Sequence, residues 1–126
     1  MTRSVVNACG RSLGPYSDAV RAGELLLLSG RVGLIDGVLA EGIQAQTAAA
    51  IRNAGAVLAA AGLGLKEVLR CTLYLVDMSD IDALNSVYAG FFEEPRPART
   101  TVAVAALPLG ARFEIEMTAL AASVTT

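Results

Sequence analysis

The 126-residue sequence contains no histidine and no tryptophan, and Lys66 is its only lysine. The lack of histidine excludes Ser-His-Asp and Cys-His nucleophile machinery, histidine-based RNA cleavage and imidazole-ligated metal sites. Lys66 is predicted to lie on a turn between a helix and a strand, a poor place for a Schiff-base amine, which must be desolvated to react. We therefore expect no metal and no pyridoxal cofactor.

Cysteine is also scarce, with only Cys9 and Cys71 in the chain. The two lie far apart in the sequence, which neither excludes nor indicates a disulfide. Cys71 falls in the apolar run from Val68 to Val76 and is predicted to be a small buried residue. The N-terminal residues show no apolar core of a signal peptide, so we expect a cytoplasmic location with reduced thiols.

Long apolar runs and excess basic charge are absent too. The longest apolar stretches, 54–65 and 102–111, fall short of the ~18 residues that a membrane span needs, so no membrane partner is expected. A net charge of −2 argues against nucleic-acid binding, which generally requires a basic face. Yet 54% of the residues are hydrophobic, above the usual ~45–50% of soluble domains. This excess predicts a subunit interface without fixing the number of subunits.

Hydrophobic periodicity predicts alternating strands and helices in one domain over residues 1–126, with no linker or repeat. The four leucines 25–28 predict a strand buried on both faces. Asp36-Gly37 predicts a hairpin turn. Apolar residues at helical spacing from Ile43 to Ala61 predict a helix that ends at Gly62. The predicted order is β-β-α-β-α-β-β, an α+β fold with two helices on one face of a mixed sheet.

The second predicted helix follows a short acidic segment. Ser79 is a good N-cap, and aspartates suit the positive end of a helix. Asp77, Asp80 and Asp82 lack the glycine and the distal glutamate of a calcium-binding loop. We therefore interpret these carboxylates as capping residues.

An arginine and a glutamate near the C-terminus are the main candidates for chemistry. Arg99 follows two prolines and precedes a β-branched run, so it is predicted to open a strand. From Ala111 onward the pattern alternates and places Glu114 and Glu116 on the polar face of another strand. Such a guanidinium and carboxylate on neighbouring extended segments can bind an anion and handle a proton. Alternating charges also fit a solvated strand face or a cross-strand ion pair.

Several motifs, in this order, resemble the RidA/YjgF/YER057c/UK114 family of reactive-intermediate deaminases, and the resemblance extends from about residue 14 to 120. They are Gly-Pro-Tyr-Ser at 14–17, Leu-Ser-Gly at 28–30, Val-Asp-Met at 76–78, Asn-Ser-Val-Tyr-Ala-Gly-Phe-Phe at 85–92, Pro-Ala-Arg-Thr-Thr-Val at 97–102, Ala-Leu-Pro at 106–108 and Glu-Ile-Glu at 114–116. The resemblance implies a chorismate-mutase-like fold and a homotrimer. Its sheets would meet in a central barrel, with active sites in the clefts between subunits.

The resemblance also implies a reaction, the hydrolysis of 2-imino or enamine acids to 2-keto acids and ammonia, with no cofactor. Arg99 matches the family arginine that binds the substrate carboxylate, and Glu114 matches the glutamate that orients the attacking water. Tyr16, Ser29, Gly30 and Thr101 match residues of the same pocket, whereas Glu116 is assigned to structure. Taken alone, Tyr16 also fits turn packing, and Ser29-Gly30 fits a strand end.

Two residues depart from the family pattern, since Arg31 and Asp18 stand where glutamine is common. Arg31 either adds a cation for a larger or dianionic substrate or pairs with an acid at the interface, and we favour the pairing. The main alternative to an enzyme is a trimer that binds small carboxylate metabolites or a protein partner without turnover. A ribonuclease, the label of some relatives, is disfavoured by the acidic charge and the lack of histidine.

Overall fold

The computed structural model describes residues 3–7 and 14–121. This part of the chain forms nine strands and two α-helices. They are β1 (Arg3–Val6), β2 (Ala19–Ala22), β3 (Leu25–Leu28), β4 (Arg31–Val32), β5 (Leu34–Ile35), β6 (Val38–Leu39), α1 (Ile43–Ala60), β7 (Val68–Leu75), α2 (Ile81–Phe91), β8 (Ala98–Ala103) and β9 (Phe113–Leu120). Within the described residues, neither helix is long and apolar enough to span a membrane.

The main sheet has the strand order β1-β2-β3-β9-β7-β8, and β4 pairs with β9 beyond the end of β3. β7 and β8 are parallel because α2 carries the chain back between them, and all other pairs are antiparallel. The α+β fold class with a mixed sheet is therefore confirmed. The short hairpin of β5 and β6 lies outside this sheet.

Both helices cover one face of the sheet, and the core lies between them. The alternation predicted for β9 is observed, since Phe113, Ile115 and Met117 are buried while the residues between them are partly exposed. Each fully buried side chain of this size contributes roughly 1.5–3 kcal/mol. The other core residues include Leu26, Ile51, Ala54, Leu58, Cys71, Leu73, Leu75, Leu84 and Tyr88.

The opposite face of the sheet is open in the single chain. The prediction that the leucine strand β3 is buried on both faces is wrong for this chain, because Leu26 and Leu28 are buried whereas Leu25 and Leu27 are 41% and 46% exposed. β9 adds Leu120, which pairs with Leu25 in register and is 40% exposed. The open face therefore carries an apolar patch that the chain itself does not cover.

The sequence signals predicted for the turn between β5 and β6 and for the start of α2 are confirmed in part. Asp36 and Gly37, with φ of 51° and 81°, form the predicted turn between β5 and β6, a geometry that glycine adopts at little cost. The predicted N-cap Ser79 is wrong. α2 begins at Ile81 after a short 3₁₀ turn, and the carboxylate of Asp77 accepts the hydrogen bond from the Ser79 amide at 2.9 Å.

Candidate active site

Glu114 projects from β9 into a cavity of about 460 Å³. Tyr16, Asp18, Gly30 and Arg31 line the polar part of this cavity, and its apolar wall is formed by Val32, Leu34, Ala56, Val57 and Leu109. A Cβ added to Gly30 would overlap a carboxylate oxygen of Glu114. A larger residue at position 30 would therefore require the Glu114 carboxylate to shift.

The Glu114 carboxylate has no hydrogen-bond or ion-pair partner among residues 3–7 and 14–121. Burial raises its pKa above the ordinary value, and the negative charge of Glu116 adds to that effect. A half-buried glutamate with a raised pKa and no partner in the described part of the chain is suited to accept a proton from water.

Glu116 lies two residues further along the same strand face but has a partner. The hydroxyl of Tyr74 donates to its carboxylate at 2.7 Å. This hydrogen bond is the main cause that raises the pKa of Tyr74 to about 12. Glu116 does not line the Glu114 cavity, in agreement with its assignment to structure.

Arg99 lies on β8, the edge strand of the sheet, on the side covered by α2. Its Nε donates to the Oγ1 of Thr101 at 2.9 Å, and its guanidinium carbon lies 4.8 Å from the centre of the Tyr88 ring. No carboxylate within the described ranges forms a salt bridge with Arg99. The remaining N–H donors are thus available to a carboxylate ligand, which a planar guanidinium binds through two oxygens.

A cavity of about 400 Å³ surrounds Arg99. Arg96, Asn85 and Tyr88 line it, and the amide oxygen of Asn85 is buried without a hydrogen-bond partner in the part of the chain that is described. The hydroxyl of Tyr88 lies close to the Cys71 thiol. Buried polar atoms normally have partners, so the Asn85 oxygen is able to contact a ligand.

The thiol of Cys71 lies beneath this cavity, because Cys71 pairs with Arg99 in the β7–β8 register. Cys71 is fully buried, as predicted, and is a free thiol. Burial raises its pKa, and this effect outweighs the opposing influence of Tyr88 and the Arg99 charge. A buried thiol with a raised pKa is a poor nucleophile, so Cys71 is a structural residue. Cys9 lies outside the described residues.

The family model described as Endoribonuclease L-PSP matches residues 7–121. The chain belongs to the RidA/YjgF family. The recognition made from the motifs is thereby confirmed.

Relatives with deaminase names match most of the chain. Reactive Intermediate Deaminase A, chloroplastic, of Arabidopsis thaliana is 43% identical over 108 residues, 83% of this chain and 58% of that protein, so this chain spans less than two thirds of its length. The human 2-iminobutanoate/2-iminopropanoate deaminase is 35% identical over 118 residues, 91% of this chain and 86% of that protein. The crystal structure of RidA from the Antarctic bacterium Psychrobacter sp. PAMC 21119 superimposes with a TM-score of 0.87 at 36% identity, covering 93% of this chain and 98% of that chain.

The residues predicted for the RidA-type site fall into two groups in the single chain. Tyr16 and Gly30 lie with Glu114, whereas Thr101 lies with Arg99. Ser29 is next to Gly30 but does not line the cavity, because its hydroxyl donates to the carbonyl of Ser17 at 2.6 Å.

The two groups lie on opposite faces of the sheet. The interpretation of the strands of Arg99 and Glu114 as neighbours is wrong, because β7 lies between them. In register, Arg99 is aligned with Cys71 on the helix-covered face, whereas Glu114 is aligned with Tyr74 on the open face. One chain therefore does not bring the guanidinium and the carboxylate together.

Sequence reasoning missed Asn85 and Arg96 as lining residues of the Arg99 cavity. Helical spacing provided a signal for Asn85, since it lies one turn before Tyr88 on α2. The favoured pairing of Arg31 with an acid is observed, but the acid is Asp18 of the same chain, at 2.8 Å. As for metals, the described residues hold no group of three or more acidic or cysteine side chains placed to bind an ion.

Proposed function

We propose that this protein is a deaminase that hydrolyses 2-imino and enamine acids to 2-keto acids and ammonia, without a cofactor. The observation that carries the proposal is the Glu114 carboxylate, which has no partner among the described residues and a raised pKa, in a cavity where Gly30 leaves room for it. The deaminase names of the human and Arabidopsis relatives support the same reaction class.

In the proposed reaction, Arg99 binds the substrate carboxylate and Glu114 acts on water. The imine carbon is electrophilic, particularly when its nitrogen is protonated. Water attacks this carbon while Glu114 accepts a proton from it, and a tetrahedral carbinolamine forms. Glu114 passes this proton to the nitrogen and then accepts the hydroxyl proton of the carbinolamine as the C=O bond forms. The C–N bond breaks with its electron pair on nitrogen, and ammonia and the 2-keto acid are released. Positioning and charge complementarity supply the catalysis.

The site of this reaction is proposed to be formed by two chains of a homotrimer. The separation of Arg99 from Glu114 by the sheet within one chain motivates this arrangement. The exposed leucines of the open face supply apolar surface for association. Each cleft would then combine Glu114, Tyr16 and Gly30 of one protomer with Arg99 and Thr101 of another.

Hydrolysis of freshly generated 2-imino acids tests the reaction directly. Imines with small, branched and aromatic side chains are produced in place, and the release of 2-keto acid is timed against the spontaneous background. We expect the wild-type protein to accelerate release for at least one imine. Protein that binds 2-keto acids but never exceeds the background would contradict the enzyme and favour the non-catalytic carboxylate-binding trimer.

The assembly has its own test. Light scattering coupled to size exclusion is expected to give the mass of three chains. Leu27→Asp places a charge on the open face and should dissociate the trimer, whereas Val38→Asp, on the hairpin of β5 and β6, should not. A folded wild-type monomer at micromolar concentration would contradict an active site formed by two chains.

The cytoplasmic location of the protein stays a prediction.

A further inference from the structure

A second arginine, Arg96, shares the cavity that surrounds Arg99. Of the described residues that line this cavity, these two carry a positive charge and none carries a carboxylate. The rest of the lining is uncharged and consists of Asn85, Tyr88, Ala89 and Pro97. A cavity of about 400 Å³ with two guanidinium groups and no acid in this lining is suited to a ligand with more than one negative charge.

The two guanidinium charges act on the same group, the hydroxyl of Tyr88. Burial and the neighbouring Cys71 thiol raise the pKa of this hydroxyl, whereas the charges of Arg99 and Arg96 both oppose the rise. The guanidinium carbon of Arg99 also lies 4.8 Å from the centre of the Tyr88 ring. Both cations therefore face one part of the cavity, where a single small ligand can contact them.

The stem of Arg96 is held in place. Arg96 stands between Pro95 and Pro97, and the following proline restricts its backbone to extended conformations. Its Nε donates to the carbonyl of Phe92, the C-cap residue of α2, at 3.0 Å. This bond anchors the guanidinium at its Nε and leaves the Nη groups to contact other partners, as the bond from Nε to Thr101 does for Arg99.

The acid that contacts Arg96 within the chain is a weak competitor for a ligand. A carboxylate oxygen of Glu94 lies 3.4 Å from the Nη1 of Arg96, and the Glu94 side chain is 82% exposed. Exposed pairs of this kind contribute little. By contrast, Arg31, the cation considered from the sequence for a dianionic substrate, is bound to the buried Asp18 at 2.8 Å. Arg96 is therefore the better placed second cation.

We propose that Arg96 binds a second carboxylate, so that the preferred substrates are 2-imino acids with an acidic side chain and the products are 2-keto dicarboxylates. The inference rests on the proposed function, in which Arg99 binds the carboxylate next to the imine carbon. Arg96 is then a specificity-determining residue, and the chemistry at the imine carbon stays the same as for a monocarboxylate.

Titration calorimetry with two keto acids of equal chain length tests the second contact. 2-Oxoglutarate and 2-oxopentanoate have the same carbon skeleton, but the first ends in a carboxylate and the second in a methyl group. Wild-type protein should bind 2-oxoglutarate about fivefold more tightly, a modest ratio because the Arg96 side chain is 46% exposed and its charge is partly screened. The ratio should fall as the salt concentration rises.

Variants at position 96 separate the charge from the shape of the side chain. Arg96→Gln removes the charge and should weaken 2-oxoglutarate more than 2-oxopentanoate, so that the ratio of the two affinities falls to about one. Arg96→Lys keeps the charge and should retain part of the ratio. Arg52→Gln is the matched control, because the Arg52 guanidinium lies 5.5 Å from the centre of the Phe91 ring on α2 but outside the cavity lining. It should keep the wild-type ratio.

Turnover gives a second readout on the same two carbon skeletons. The imines of 2-oxoglutarate and 2-oxopentanoate are generated in place, and kcat/KM should be higher for the dicarboxylate in wild-type protein but not in Arg96→Gln. If wild-type protein hydrolyses neither imine, the proposed function fails, yet the calorimetric ratio still decides the role of Arg96.

Two results would overturn the inference while leaving the deaminase reaction intact. One is a wild-type protein that binds both keto acids equally well. The other is a ratio of affinities in Arg96→Gln that equals the ratio in wild-type protein and in Arg52→Gln.

Discussion

The side chains of Arg99 and Glu114 lie on opposite faces of one sheet, and the protein holds the two charged groups in different ways. Arg99 is fixed by a hydrogen bond from its Nε to Thr101 and by the Tyr88 ring, and it keeps free donors. Glu114 makes no hydrogen bond within the described part of the chain, and burial raises its pKa. The first arrangement favours binding of an anion, whereas the second favours proton transfer.

The largest expected effect comes from removing the base. Glu114→Gln preserves the shape of the side chain but cannot accept the proton of water, so the rate of imine hydrolysis should fall by about 10²-fold or more. Binding of a 2-keto acid, measured by calorimetry, should be retained. Glu116→Gln is the matched control, because Glu116 lies on the same strand face outside the cavity, and it should keep its rate at pH 8. Equal loss of rate in both variants would remove Glu114 from its assigned role.

The next largest expected effect is a loss of ligand affinity at the Arg99 cavity. Arg99→Lys keeps the positive charge but loses the planar pair of donors, so the affinity for a 2-keto acid should weaken about tenfold or more. Titration calorimetry of both proteins measures this difference. Unchanged affinity would show that Arg99 does not hold the carboxylate.

A smaller loss of ligand affinity is expected when Thr101, the residue that orients Arg99, is changed. Thr101→Val removes the acceptor of the Arg99 Nε–H and keeps the branched shape. The affinity for a 2-keto acid should fall about fivefold, since a hydrogen bond of this kind contributes roughly 0.5–1.5 kcal/mol. A loss larger than that of Arg99→Lys would indicate that Thr101 contacts the ligand itself.

The smallest effect is a shift in pH dependence. The charge of Glu116 raises the pKa of Glu114, so Glu116→Gln should lower that pKa. Glu114 acts in its ionised form, which means that the acid limb of the rate profile should move to lower pH and the rate at pH 5 should rise. Burial, the larger cause, continues to raise the pKa, so the shift should be small. A limb that moves to higher pH would contradict this electrostatic account.

Local patterns were sufficient to predict the strands that carry the two charged residues. The alternation in β9 determines which of its residues face the core, and the β-branched run after Arg99 indicates the strand β8. Strand order depends on pairing between distant segments, which periodicity does not encode. The crossover through α2 places β8 outside β7, and β9 occupies the other edge of β7. For this reason the sequence did not reveal that Arg99 and Glu114 face opposite sides.

The Arg31–Asp18 contact was within reach of sequence reasoning. A hairpin centred on the Gly23-Glu24 turn pairs Ala19 with Leu28, which brings the residues just outside it together. The N-cap of α2 was harder to predict, because a 3₁₀ turn precedes the helix. Asp77 caps that turn, and α2 follows Asp80 without a side-chain cap.

The central claim is that one active site uses Glu114 of one chain and Arg99 of another. Arg99→Ala and Glu114→Gln are each expected to be nearly inactive, and mixed trimers prepared by co-expression combine them. If the site spans two chains, random 1:1 assembly should restore about a quarter of the wild-type rate, because some clefts pair an intact Arg99 with an intact Glu114. Mixed trimers, verified by mass, that remain as inactive as their parents would contradict the two-chain site.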